Sequence, residues 1–191
     1  MPRIVGLLML VLCLGGCARE NREIQIAMEL RDRILSAENC GFHAAVTADY
    51  GDILHSFSMD CTADTAGMLS FEIREPESIA GIRGSVSDSG GSISYENDAL
   101  YFPLMAEDLL VPAAAPWVLM KALRGGNIRA VGVEEEYLHI VLDDSFAEDA
   151  LQVDVWLDEN HLPVRGDILH DGIRILSVDV ENYVFAQQND S

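Results

Sequence analysis

Residues 42–60 read FHAAVTADYGDILHSFSMD. Two alternating runs, 42–48 and 53–60, flank the turn-forming string Asp49-Tyr50-Gly51-Asp52. A two-residue hairpin loop at Tyr50-Gly51 pairs Asp49 with Asp52 and fixes every partner beyond them. Phe42, Ala44, Val46 and Ala48 then share a face with Ile53, His55, Phe57 and Met59. His43, Thr47 and Asp49 share the other face with Asp52, Ser56, Ser58 and Asp60. A one-residue slip would mix these sets, so the pattern predicts a β-hairpin with one apolar and one polar face.

The same register sets Cys40 opposite Cys61. The pair falls at a non-hydrogen-bonded site, where Cα atoms approach to about 4.5 Å, within disulfide reach. A Cys40–Cys61 disulfide is therefore expected; the alternative is two free thiols in a core. With no Cys-x-x-Cys motif in the sequence, a redox-active role is not expected.

Outward from the hairpin the pattern is one helix, then mostly strands. Ala27, Leu30, Ile34 and Ala37 recur at helical spacing and predict a helix over 22–38. Leu69, Phe71 and Ile73 alternate in 67–74, and Pro76 ends that strand. A weaker strand, 79–87, leads to the turn Asp88-Ser89-Gly90-Gly91. ISYENDALYF (93–102) reads as a hairpin on Asn97-Asp98, with Tyr95 against Leu100 and Ile93 against Phe102. Pro116 suits the first turn of a helix that runs through Arg124 and ends at Gly125-Gly126. Strands are expected at 128–133, 137–142, 151–157, 162–170 and 173–185, with a type I′ signal at Asp171-Gly172. In the last strand, apolar parity switches from Ile173 and Ile175 to Leu176, Val178 and Val180, which predicts a β-bulge. Nine or ten antiparallel strands and two helices make one α+β domain.

The N-terminus reads as an address. Arg3 precedes an eleven-residue apolar run, Ile4 to Leu14. At about 1.5 Å per residue, such a run is too short to span a bilayer, but it suits a signal peptide. It ends in Leu14-Gly15-Gly16-Cys17, which resembles a bacterial lipobox. That resemblance implies a signal peptide over 1–16, cleavage before Cys17, and lipidation of Cys17. The alternative is an ordinary secretory signal with a chance cysteine. A multi-chain anchor gains about 0.8 kcal/mol per buried CH₂ and needs no spanning helix.

The whole chain has 191 residues, with 12 Lys+Arg against 32 Asp+Glu and a formal net charge of −20. Hydrophobic residues make up 49%, too many for a disordered acidic tail. The acidic balance argues against nucleic-acid binding and against electrostatic docking on anionic lipid. Lys121 is the sole lysine.

Taken together, the lipobox, the N-terminal helix, the antiparallel meander, the proline-opened mid-chain helix and the closing "LPV" and "DG" strings resemble the LolA/LolB-like superfamily. The matching stretches are Phe71–Pro76, Gly90–Leu104, Pro116–Arg124 and Trp156–Phe185. The resemblance implies an antiparallel half-open β-barrel covered by an N-terminal helix and a mid-chain helix. Residues 17–22 would be a lipidated tether and 23–187 the domain. Known roles in that group include carrying or receiving lipoproteins, sensing envelope stress and supporting germination. In pattern the chain most resembles the small uncharacterised envelope lipoproteins of clostridia-like bacteria. It departs from the true carrier in being anchored itself.

No G-x-S-x-G, Walker A, H-E-x-x-H or G-x-G-x-x-G string is present, and the five histidines lack ligand spacing. No catalytic residue, metal site or cofactor is therefore expected. The acidic clusters at 134–136, 143–144 and 148–149 read as solvated surface. Phe57, Phe71, Tyr95, Phe102, Trp117 and Trp156 remain as candidate ligand-binding residues. In a half-barrel they would line a concave cavity for an acyl chain, a lipoprotein or an apolar peptide; in a closed core they would only pack. The expected function is non-enzymatic hydrophobic-ligand binding by a lipid-anchored protein on the extracytoplasmic face of the cell membrane. Its partner would be a lipid, a lipoprotein or an envelope protein. Two rivals stay open: a non-catalytic regulator of an envelope or spore-cortex enzyme, and a hydrolase with an unrecognised carboxylate site.

Overall fold

The computed structural model of the chain describes residues 22–51, 54–95, 98–106, 109–145, 147 and 150–186. The signal peptide, the lipobox and Cys17 lie outside the described residues, as do Ile53, Asn97 and the acidic pair at 148–149.

Helix α1 spans 22–36. Its Ala27, Leu30 and Ile34 are buried at the expected spacing, while Glu29 and Arg33 face outward. Six strands follow: β1 (Asn39–Asp49), β2 (Leu54–Asp64), β3 (Leu69–Glu75), β4 (Arg83–Ser87), β5 (Gly90–Tyr95) and β6 (Asp98–Phe102). A short ribbon, β7 (Met105–Ala106) and β8 (Leu109–Leu110), then leads through a 3₁₀ turn at Pro112–Ala114 into α2 (Ala115–Gly125). Pro116 sits in the first turn of α2 and Gly126 caps it, as the sequence pattern requires. The chain closes with β9 (Asn127–Glu134), β10 (Tyr137–Asp143), β11 (Gln152–Leu157), β12 (Pro163–His170) and β13 (Ile173–Ala186).

Eleven of these strands form one antiparallel sheet in the order β6-β5-β4-β3-β2-β1-β13-β12-β11-β10-β9. Two meanders thus meet where β1 pairs with β13. The edges β6 and β9 do not pair with each other, so the sheet is open. The half-open β-barrel expectation fits this sheet. The sequence reading fell short of the strand count and did not foresee the β7–β8 ribbon.

Alternation places one face of the sheet in the core. Phe42, Ala44, Val46 and Ala48 of β1 are buried, as are Leu69, Phe71 and Ile73 of β3 and Val153, Val155 and Leu157 of β11. Leu176, Val178 and Val180 of β13 join them. α2 packs on this face. A Cβ placed on Gly166 of β12 would lie 2.7 Å from Leu119 Cδ1, so the glycine admits the helix. Arg31 of α1 donates to the carbonyls of Leu123 at 2.9 Å and Gly126 at 2.7 Å, tying α1 to the end of α2.

The β1–β2 register corrects the expectation. Asp49 pairs with Leu54, not Asp52, so Cys40 faces Ala63 and Cys61 faces Phe42. Both cysteines are buried free thiols, and the expected disulfide is not formed. The slip is two residues, which leaves the faces sorted but moves the cysteines from opposite to diagonal positions, roughly 7–8 Å apart. β5–β6 slips likewise: Tyr95 pairs with Asp98, Ile93 with Leu100, and Phe102 with Gly91. His55, expected among the apolar residues, is exposed near the tip of β2.

Two bulges shape β13. The predicted one lies at Ile175, where Ile168 pairs with Leu176 and Leu169 with Arg174. A second lies between the pairs Gly41–Val184 and His43–Glu181, with Asn182 at φ 55°. It switches the inward parity again, from Val180 to Tyr183.

Candidate functional site

Two largely apolar openings flank one edge of α2. Trp117 and Lys121 stand a helical turn apart on that edge, and each lines both openings. The smaller cleft, about 290 Å³, lies between α2, Leu35 of α1 and the β2–β3 turn. The larger, about 450 Å³, lies between α2, the β7–β8 ribbon and the segment after β10. Leu104, Met105, Leu110, Val118 and Leu151 give it an apolar wall, and Asp144 and His170 stand on its rim.

Hydrogen bonds fix these walls. The Trp117 indole N–H donates to the Gly67 carbonyl at 2.9 Å. Arg124 donates to the carbonyls of Asp64 at 2.6 Å and Thr65 at 2.9 Å. Together they clamp the β2–β3 turn beside α2, where Gly67 takes φ 90°, a conformation that favours glycine. On the other side the Tyr50 hydroxyl donates to the Leu110 carbonyl at 2.6 Å, holding the ribbon. Lys121 Nζ lies 5.0 Å from the centre of the Trp117 ring and 3.2 Å from Asp88 Oδ1.

The six candidate aromatics do not converge. Only Trp117 lines these two clefts. Phe71 is buried in the core, its ring lying over Gly84. Phe102 is half-buried over Gly91. Tyr95 shares their face but is 58% exposed beside the open edge. Phe57 lines a separate groove with Glu75 and Pro76.

Trp156 lies on the opposite face from Val155 and Leu157. There it stacks on His139, with ring centres 4.5 Å apart, and donates to Glu134 Oε2 at 2.9 Å. The Arg165 guanidinium covers it at 4.9 Å. This face is a charged surface. Asp167 is held by Arg165, Arg174 and Ser177. Burial pushes its carboxyl up, but the bonds from Arg165 and Ser177 outweigh that and leave it below the usual carboxylate range. Asp60, bound by His43 and Arg74, is lowered as well.

Leu104, Met105, Leu110, Lys121 and His170 were absent from the sequence-based candidates. Lys121 alone carried a signal: it is the one lysine, and it stands in the apolar string WVLMKAL. Among the described residues no three His, Cys, Asp or Glu side chains gather as metal ligands. No described helix is long and apolar enough to cross a membrane.

No family model matches the chain, and no curated protein matches it. Solved structures do. An uncharacterized conserved protein from Thermus thermophilus is 12% identical, covers 86% of this chain and 90% of its own, and superposes with a TM-score of 0.47. The LolA superfamily protein from Nitrosomonas europaea is 7% identical over 86% of this chain and 95% of its own, with a TM-score of 0.42. The Mycobacterium tuberculosis lipoprotein LppX is 12% identical over 85% and 93%, with a TM-score of 0.40. These are likenesses of fold alone.

Proposed function

We propose that this chain is a lipoprotein of the cell envelope, anchored through Cys17, that holds a hydrophobic ligand in the clefts beside Trp117. The observation that carries this reading is the meeting of two largely apolar openings, about 290 and 450 Å³, at one buried tryptophan. The larger volume is that of a small-ligand site. Its walls come from α2, a two-strand ribbon and the sheet, so α2 serves as the partial cover over the inner face of the half-barrel. Burial of an acyl chain or apolar peptide there contributes about 25 cal/mol per Å² removed from water. The inner face also continues, uncovered, to the open edge, where Leu100 is 63% exposed. A ligand too long for the cleft has further apolar wall to follow.

Native mass spectrometry on the full chain purified from membranes tests the ligand. A retained lipid or apolar adduct that is lost when Val118 and Leu151 are both changed to Asp is the expected result. An empty protein that takes up no alkyl probe at any concentration below micelle formation overturns it. The anchor is tested separately: an alkyne-bearing fatty acid fed to cells should label the chain, and Cys17→Ala should abolish the label.

A further inference from the structure

We propose that the ligand of these clefts has an anionic head, a carboxylate or phosphate, which Lys121 receives while the apolar tail lies along Val118 and Leu151. This rests on the hydrophobic-ligand reading and goes beyond it to the ligand's charge.

The chain carries −20 overall and has one lysine. That lysine stands on a helix whose Trp117, Val118, Leu119, Met120, Ala122 and Leu123 are all buried. Both clefts share it as a wall. Its methylene stem crosses apolar surface while the ammonium reaches the rim.

The other charged groups around the clefts are differently placed. Arg124 is spent on the carbonyls of Asp64 and Thr65. Asp144 accepts the Leu151 amide at 2.9 Å. Among the described residues the carboxylate that holds Lys121 is Asp88, with side chains 38% and 82% exposed respectively. An ion pair so open to water holds weakly. An incoming anion can take the place of Asp88 without leaving a buried charge unpaired, since Asp88 simply returns to solvent. The Trp117 ring beneath the ammonium keeps the cation in place during the exchange.

Charge complementarity thus selects the head, and the cleft selects the tail. A cationic head would meet Lys121 at the entrance, and a neutral one would leave the Lys121–Asp88 pair as it is.

The test uses three ten-carbon probes with different heads: decanoate, decanol and decyltrimethylammonium. Each is titrated into the full chain carrying Trp156→Phe, so that Trp117 is the reporting indole. Decanoate is expected to bind at least fivefold more tightly than decanol. Lys121→Met should erase that preference, Lys121→Arg should keep most of it, and Asp88→Asn should increase it. Far-ultraviolet circular dichroism and the thermal midpoint establish that each variant is folded.

Equal affinity for decanoate and decanol, a preference that survives Lys121→Met, or tightest binding of decyltrimethylammonium overturns the head assignment and leaves the apolar cleft standing. Failure of all three probes to bind overturns the cleft reading and the head assignment together. Decyl phosphate in place of decanoate then separates the two anion classes.

Discussion

The ring of Phe102 lies across Gly91 on the neighbouring strand: a Cβ at Gly91 would meet Phe102 Cζ at 2.1 Å. The pair replaces the Ile93–Phe102 contact that a turn of the same length centred on Asn97-Asp98 would have made, and it pins the β5–β6 register. Gly91→Ala must therefore displace the ring. The expected cost is about 1–3 kcal/mol, the usual range for overpacking. Phe102→Ala should cost less in the Gly91→Ala background than in the wild type, giving a coupling of at least about 0.5 kcal/mol. Urea unfolding of the four proteins measures it. Strict additivity would mean that the two residues are not in contact.

Arg31 holds the end of α2 from another element. Its guanidinium donates to two carbonyls that a helix terminus leaves without partners, those of Leu123 and Gly126. Burial lowers its pKa, which is the cost of bringing a cation to this place. Arg31→Met should destabilise the chain by about 1.5–3 kcal/mol, the range for bonds to a charged group. Arg31→Lys should recover less than half, because an ammonium lacks the planar fork. Faster amide exchange in the last turn of α2 should accompany the loss.

Much of the fold was legible because burial is one-sided. Leu69, Phe71 and Ile73, or Val153, Val155 and Leu157, can alternate only if one face is inside. The α2 helix was legible because Pro116 and Gly126 bracket an apolar run. Hairpin register was not: a slip of two residues preserves every face, so patterning alone cannot distinguish Cys40–Cys61 from Cys40–Ala63. The alternation that turns Val155 and Leu157 inward also turns Trp156 outward, a signal present in the sequence. The clefts had no such local signal. Their walls come from Leu35, Gly67, Leu110, Lys121 and Leu151, residues far apart in the chain and joined only by folding.

Acid should weaken the fold through Asp167. Its folded pKa lies below the unfolded value of ~3.9. A carboxylate lowered in this way contributes stability above its unfolded pKa and loses it as pH falls through the folded one. Asp60 is lowered too, first by its bond to His43 and then by Arg74, and acts in the same direction. Unfolding free energy should thus be level near neutrality and fall below about pH 4. Asp167→Asn should lose about 1–3 kcal/mol at pH 7 and show a shallower decline in acid. Parallel acid profiles for variant and wild type would contradict the assignment.

The thiols give a direct test of the β1–β2 register. Burial raises Cys61 far above an ordinary thiol, with the Asp60 charge adding to it, and burial raises Cys40 as well. Neither should react with iodoacetamide in the folded protein at pH 8. Both should react in urea without any reductant. Peptide mapping keeps them apart from Cys13 and Cys17. A Cys40–Cys61 bridge would leave both unlabelled in urea until dithiothreitol is added.

Asn182 is where β13 changes which residues it buries. Val178 and Val180 point inward before it, and Tyr183 points inward after it, stacked on Phe42 with ring centres 5.5 Å apart. The extra residue that permits this takes φ 55°, a left-handed conformation that asparagine tolerates and β-branched residues resist. Asn182→Gly should therefore be close to neutral. Asn182→Val should cost about 1–3 kcal/mol, since the alternative to strain is withdrawal of Tyr183 from the core. The ultraviolet signal of Tyr183 distinguishes these outcomes: strain alone leaves its near-ultraviolet dichroism in place, whereas a straightened strand exposes the ring. Equal stability of the Gly and Val variants would show that the bulge does not require the left-handed residue.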